Sequence, residues 1–145
     1  MLLEAFECAR NGEQARLAEL LDVGVPVNLT NDRGDTLLIL AAYYRQAAAV
    51  ELLLARGADH DRANDNGQTA LGAAVFRQDD AIVTALLGAG ADPDAGARSA
   101  RVVAQFFGLE AMLARLPQPT VRPTAAPVTP SRTVPAATPG AGPEP

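Results

Sequence analysis

Gly34-Asp35-Thr36-Leu37-Leu38-Ile39-Leu40-Ala41-Ala42 decides the fold, because this loop glycine, capping hydroxyl and apolar run come back. Gly67-Gln68-Thr69 repeats the start of that stretch, so that position 34 recurs at position 67. Leu52-Leu53-Leu54-Ala55-Arg56-Gly57-Ala58-Asp59 closes the unit. Its final Gly-Ala-Asp-His-Asp (57–61) has counterparts one identical step away on either side, at Gly24-Val25-Pro26-Val27-Asn28 and Gly90-Ala91-Asp92-Pro93-Asp94. Leu17, Leu20 and Leu21 map by the same step onto Val50, Leu53 and Leu54, then onto Val83, Leu86 and Leu87. Three landmarks on one period make repetition the primary organisation of the chain. A fourth copy emerges if three residues are removed after Asp94: Ser99 then stands for Thr69, Leu113 for Val83, Leu116 for Leu86 and Gly108 for Gly12.

The physics of one unit follows from its residues. Thr36, Thr69 and Ser99 each offer a side-chain oxygen to the free N–H groups of a first helical turn. A first helix runs through Leu37–Ala42 or Ala70–Val75, with a break near Arg45-Gln46 or Arg77-Gln78. A second helix carries Val50, Leu53 and Leu54 at i, i+3 and i+4, one apolar stripe. Asp79 and Asp80 open that helix in the third copy, where the dipole favours negative charge. Gly24, Gly57 and Gly90 follow the Leu pair, where a left-handed C-terminal cap requires glycine. The Asn- and Asp-rich stretch that follows is a turn or β-finger leading into the next unit. Such a unit has too small an apolar face to fold alone, so stacking supplies the core.

These residues resemble ankyrin repeats: Gly34 to Ala42 with Leu52 to Asp59, and more weakly Gly67 to Ala74 with Leu86 to Asp92. The resemblance covers residues 1–116 and is nearest to small free-standing bacterial members. It implies an all-α ankyrin solenoid of about 3.5–4 helix-turn-helix units with short β-turn fingers. The repeats fall at about 1–30, 31–63, 64–96 and 97–116, with a disordered Pro/Ala/Thr-rich tail over 117–145. The family's T-P-L-H stands here as Thr36-Leu37-Leu38-Ile39 and Thr69-Ala70-Leu71-Gly72, without the Pro or the His. Gly72 inside a helix costs about 1 kcal/mol relative to Ala, so a correct fold of modest stability is expected. Arg101 in place of Leu71 and Pro117 in place of Leu87 mark the fourth copy as a degenerate C-terminal cap. The first copy begins directly in a helix, so either that helix is partly exposed or the natural start lies upstream; the second is expected.

Composition excludes most other chemistry. The chain has 145 residues, one Cys, one His, no Trp and a net charge of −5, and every basic residue is Arg. One Cys and one His build neither a disulfide framework nor a Cys/His zinc site. No apolar run reaches the roughly 18–20 residues of a membrane helix, and the N-terminus lacks the basic region of a secretory signal. Residues 1–116 carry ten Arg against sixteen Asp and Glu, net −6, which repels nucleic-acid backbones. Asp61 to Gly67 fails as a calcium loop: Ala63 stands at its third position and Gly72 where the bidentate Glu belongs. His60 reads as a half-buried packing residue and Cys8, aligned with Ala41 and Ala74, as a buried thiol. No catalytic set, metal site or cofactor is expected.

Family resemblance places partners on a concave face made of loop tips and the ends of first helices. Carried over residue by residue, the tips are Asp32, Arg33 and Asp35, then Asp65, Asn66 and Gln68. The helix ends are Arg10-Asn11, Tyr43-Tyr44, Phe76-Arg77 and Phe106-Phe107. Five of the six aromatic residues occupy these equivalent pairs, the sixth being Phe6. Aromatic side chains give large contact area at low entropic cost, so an aromatic ladder along a groove is one reading; internal packing is the other. Tyr43 and Phe76 fit either, Tyr44 is read as surface, and Phe106 and Phe107 as packing that seals the last unit. The acidic residues Asp32, Asp35, Asp59, Asp61, Asp65, Asp92 and Asp94 are explained by turn preference.

Nine of the eleven prolines lie in residues 117–145, which disfavours helix and sheet and favours extended conformations. Pro127-Val128-Thr129-Pro130-Ser131-Arg132 matches a PxxP-basic pattern, here read as a by-product of the composition. The expectation is a monomeric, cytoplasmic, non-catalytic module that binds an unidentified protein partner. It would engage neither nucleic acid nor membrane. The alternatives are an accessory or stabilising subunit of an enzyme encoded nearby, or a secreted effector meeting host proteins.

Overall fold

The computed structural model describes residues 2–117. Eight helices follow one another in that span: α1 Leu2–Asn11, α2 Gln14–Asp22, α3 Leu37–Tyr43, α4 Ala47–Ala55, α5 Ala70–Arg77, α6 Asp80–Gly88, α7 Ala100–Phe106 and α8 Glu110–Arg115. They form four antiparallel pairs. The first helices α1, α3, α5 and α7 pack side by side as one row, while α2, α4 and α6 form a second row beside them. This is the all-α repeat solenoid expected from the period.

Capping follows the repeat. Thr36, Thr69 and Ser99 accept the backbone N–H of Ile39, Gly72 and Val102 at 3.0, 3.1 and 3.2 Å. Asp79 does the same for Ile82 at the start of α6. Gly24, Gly57 and Gly90 adopt φ of 113°, 83° and 95°, the left-handed cap conformation. The break between paired helices needs the same conformation. Gly12 and Gly108 supply it in the outer copies, but Arg45 (φ 63°) and Gln78 (φ 56°) occupy it in the middle two.

The core is the apolar stripe of every helix joined end to end. Leu17 and Leu20, Val50 and Leu53, and Val83 and Leu86 are all buried, whereas Leu21, Leu54 and Leu87 are only partly so. Cys8, Ala41 and Ala74 are fully buried at equivalent positions. These small side chains let the first-row helices approach closely. Gly72 occupies the place of Ile39, and a Cβ there would lie 3.1 Å from the carbonyl oxygen of Arg98. Its absence of side chain is therefore a fit to the shortened loop of the fourth copy, which amends the reading of Gly72 as a simple helix weakness.

Both ends depart from the repeat. Leu2 and Leu3 are exposed at the start of α1. At the other end Arg101, in the Leu71 position, keeps its side chain largely covered and bonds Asp94 at 2.7 Å. It also donates to the carbonyl oxygen of Pro117. Arg115 of α8 reaches back to Asp80 at 2.6 Å and to the Thr84 hydroxyl. The tail expected over 117–145 lies, beyond Pro117, outside the described residues.

Candidate protein-interaction face

The fingers are held by amide side chains. Asn31 Oδ1 accepts the N–H groups of Arg33 and Asp35 at 2.9 and 3.0 Å. Asn64 Oδ1 accepts those of Asn66 and Gln68, both at 2.9 Å. Gly34 and Gly67 close each turn at φ 77° and 80°. Adjacent fingers are tied by backbone bonds, Asp65 N–H to Arg33 O at 3.0 Å and Arg98 N–H to Gly67 O at 2.8 Å. Isolated bridges pair Thr30 with Thr36 and Gln68 with Arg98.

Most of the acidic residues prove to be part of this scaffold. Asp35 is buried, and its carboxylate accepts from Asn64 Nδ2 at 2.7 Å across the finger boundary. It lines the groove as a buried side chain, beneath the finger tip to which the resemblance assigned it. Asn28 and Asp61 accept the N–H of Asp59 and Asp92, each at 2.8 Å, linking successive loops. Asp59 and Asp92 in turn lock their own loops. Turn chemistry thus accounts for these side chains, as their residue types suggested.

Between the second and third fingers lies a groove of about 340 Å³. Its floor is Ile39, Leu40 and Asp35; Tyr43 and Tyr44 form one wall, and Arg33, Asn64, Asn66 and Gln68 the other. Asp65 does not line it; its side chain packs against Gly34, where a Cβ would lie 2.7 Å from Oδ1. Asp32 borders a separate groove with Leu3, Phe6, Thr30, Asn31 and Arg33, on the open side of the first repeat.

Five of the six aromatic side chains form one continuous series along the helix ends. Tyr44 meets Tyr43 edge-on at 5.3 Å, and Tyr43 stacks on Phe76 at 6.2 Å with planes 8° apart. Phe76 meets Phe107 at 5.4 Å, and Phe107 meets Phe106 at 4.9 Å, both edge-on. The Arg77 guanidinium lies over the Tyr43 ring, 5.1 Å from its centroid, within cation–π range. Tyr44, Phe76, Phe106 and Phe107 are 45%, 39%, 79% and 51% exposed, and Tyr43 is half-buried. Phe106 and Phe107 were expected to seal the last unit. They do not, because Val103, Ala104, Met112 and Leu116 already close the core beneath them.

Cys8 is buried; desolvation first and a contact with Glu13 second push its thiol up to about 11. Its sulfur lies 3.4 Å from Glu13 Oε1. His60 Nδ1 is 3.0 Å from Asp61 Oδ1 but misaligned for a hydrogen bond, which leaves that buried nitrogen without a partner. Among the described residues no cluster of three His, Cys, Asp or Glu side chains could hold a metal ion, and no helix is long and apolar enough to cross a membrane.

The family model of three ankyrin repeats matches residues 5–97. An ankyrin repeat protein of Pseudomonas aeruginosa is 47% identical over 49 residues, which is 34% of this chain and 29% of that relative. The chain therefore matches less than a third of the relative's length. Ankyrin repeats are generally protein–protein interaction modules. The period, the capped helix pairs, the fingers and the match over most of the folded body agree: the chain belongs to the ankyrin-repeat family.

Proposed function

We propose that the chain is a non-catalytic module that captures a partner protein on the face formed by its fingers and first-row helix ends. The observation that carries this reading is the aromatic series from Tyr44 to Phe106, continuous across three repeats and exposed at Tyr44, Phe76, Phe106 and Phe107. Exposed large rings in one contiguous patch are unusual on a surface with no partner. Rings held by mutual contact lose little freedom on binding, and aromatic and Arg side chains recur at energetic centres of interfaces.

In this reading Tyr43, Tyr44, Phe76 and Arg77 are the anchors. Arg33, Asn66 and Gln68 form the polar rim of the groove, Asp32 and Asp65 extend it along the finger tips, and Asp35 holds its floor. The test is capture of binding proteins from the native source with immobilised wild type and with Tyr43→Ala/Tyr44→Ala. The double variant should lose the captured partner while keeping its helical circular dichroism and a cooperative melt. A variant that melts with wild-type cooperativity and still captures the same protein would defeat the reading.

A further inference from the structure

The aromatic series has an occupant available within the same chain. Pro117 leaves the array two residues after α8, at the position where the third copy is still helical at Leu87, and Arg101 holds its carbonyl oxygen there. The stretch beyond it, Gln118 to Pro145, contains eight prolines and no aromatic residue. We propose that the segment Pro127–Arg132 folds back and lies across Tyr44, Phe76 and Phe107 as an intramolecular ligand, competing with any foreign protein for the same face.

Chemistry and reach argue for this occupant. Proline fixes its own φ and favours the polyproline II helix, which is bound by aromatic-lined grooves because little conformational freedom is lost. In that helix residues three apart share a face, spaced roughly 9 Å. Pro127 and Pro130 are three apart. The rings step along the array at 5.4 and 6.2 Å, so alternate rungs are spaced on that scale. Ten residues separate Pro117 from Pro127, an extended span of roughly 31 Å. Helix α7, which separates the exit from Phe106, is seven residues long, roughly 10 Å. The tether therefore reaches with slack, and a short tether gives an effective concentration in the millimolar range. The proposal does not require that a foreign partner exist.

The test is paramagnetic relaxation in the full chain, with a nitroxide on Ser131→Cys. Buried Cys8 stays unlabelled. Resonances of Tyr44, Phe76 and Phe107 should broaden at least threefold more than in the same labelled chain carrying Pro127→Ala/Pro130→Ala, and the effect should not change on tenfold dilution. Equal broadening in both chains overturns the proposal, since it would report an untargeted tail. Broadening that fades on dilution also overturns it, in favour of a second copy as the occupant. The substituted positions lie beyond the described residues, so the helical circular dichroism of every chain in the comparison should be the same.

Discussion

The rings of Tyr43 and Phe76, one repeat apart in the chain, stack with centroids 6.2 Å apart and planes 8° from parallel. Tyr43 ends α3 and Phe76 is the last residue but one of α5, so the stack is a direct product of the period. The same translation that buries the Leu stripe on one side sets the rings in register on the other. Tyr43 also packs against the core, while Phe76 is the more exposed of the two.

The outermost rung should therefore be dispensable for stability. Phe106→Ser is expected to change unfolding free energy by no more than about 0.5 kcal/mol, because the side chain is 79% exposed. Phe6→Ala, at 6% exposure, should cost about 3–5 kcal/mol. Urea unfolding followed by circular dichroism separates the two. A large loss for Phe106→Ser would mean that the ring is part of the core.

Asp35 and Asp32 sit three residues apart but should behave differently. Asp35→Ala strands the Asn64 amide, which donates to Asp35 at 2.7 Å, and should cost about 1–2 kcal/mol. Asp32 is exposed, so Asp32→Ala should be close to neutral. Equal effects in chemical denaturation would contradict the assignment of Asp35 to the scaffold.

Three glycine substitutions test backbone demands. Gln78→Gly relieves a left-handed residue and should raise stability by about 1 kcal/mol. Gly88→Ala ends α6 facing open space and should gain somewhat less than about 1 kcal/mol from helix propensity. Gly72→Ala, against the Arg98 carbonyl, should lose about 1 kcal/mol despite the same propensity gain. Thermal melts of the three variants rank them, and stabilisation by Gly72→Ala would show that the fourth repeat gives way.

Cys8 makes stability depend on alkaline pH. Its folded thiol is raised from 9.0 to about 11, mainly by burial. A group raised on folding contributes stability that is complete below its unfolded value and lost as pH climbs through the folded one. Unfolding free energy should thus fall between about pH 9 and pH 11, and Cys8→Ala should flatten that fall. Alkylation of native protein at pH 8 should be much slower than in urea; equal rates would show that the thiol is open to solvent.

Much of this molecule was legible before any coordinates. Thr36, Thr69, Ser99 and Asp79 cap helices as their residue types require, and Gly24, Gly57 and Gly90 adopt the expected left-handed turn. Such interactions span three or four residues, so local sequence contains both partners. The Asn31 and Asn64 locks were just as local, and the recurrence of Asn-Asp-x-Gly at positions 31 and 64 was the signal for them. What sequence left open was long-range. The fate of Asp35 depends on Asn64 in another repeat, and the tolerance for Gly72 on the path of Arg98 after a three-residue deletion.

The period alone therefore determined the family, the stacking axis and the helix-end positions where the rings recur, because a translation by one repeat reproduces every local environment it carries. Only the tertiary structure decided which of those side chains face solvent. Exposure at a repeated position depends on what the neighbouring copy places against it, and at Phe106 and Phe107 there is no following copy among the described residues. That is why a pair read as an internal seal lies open at the end of the aromatic series.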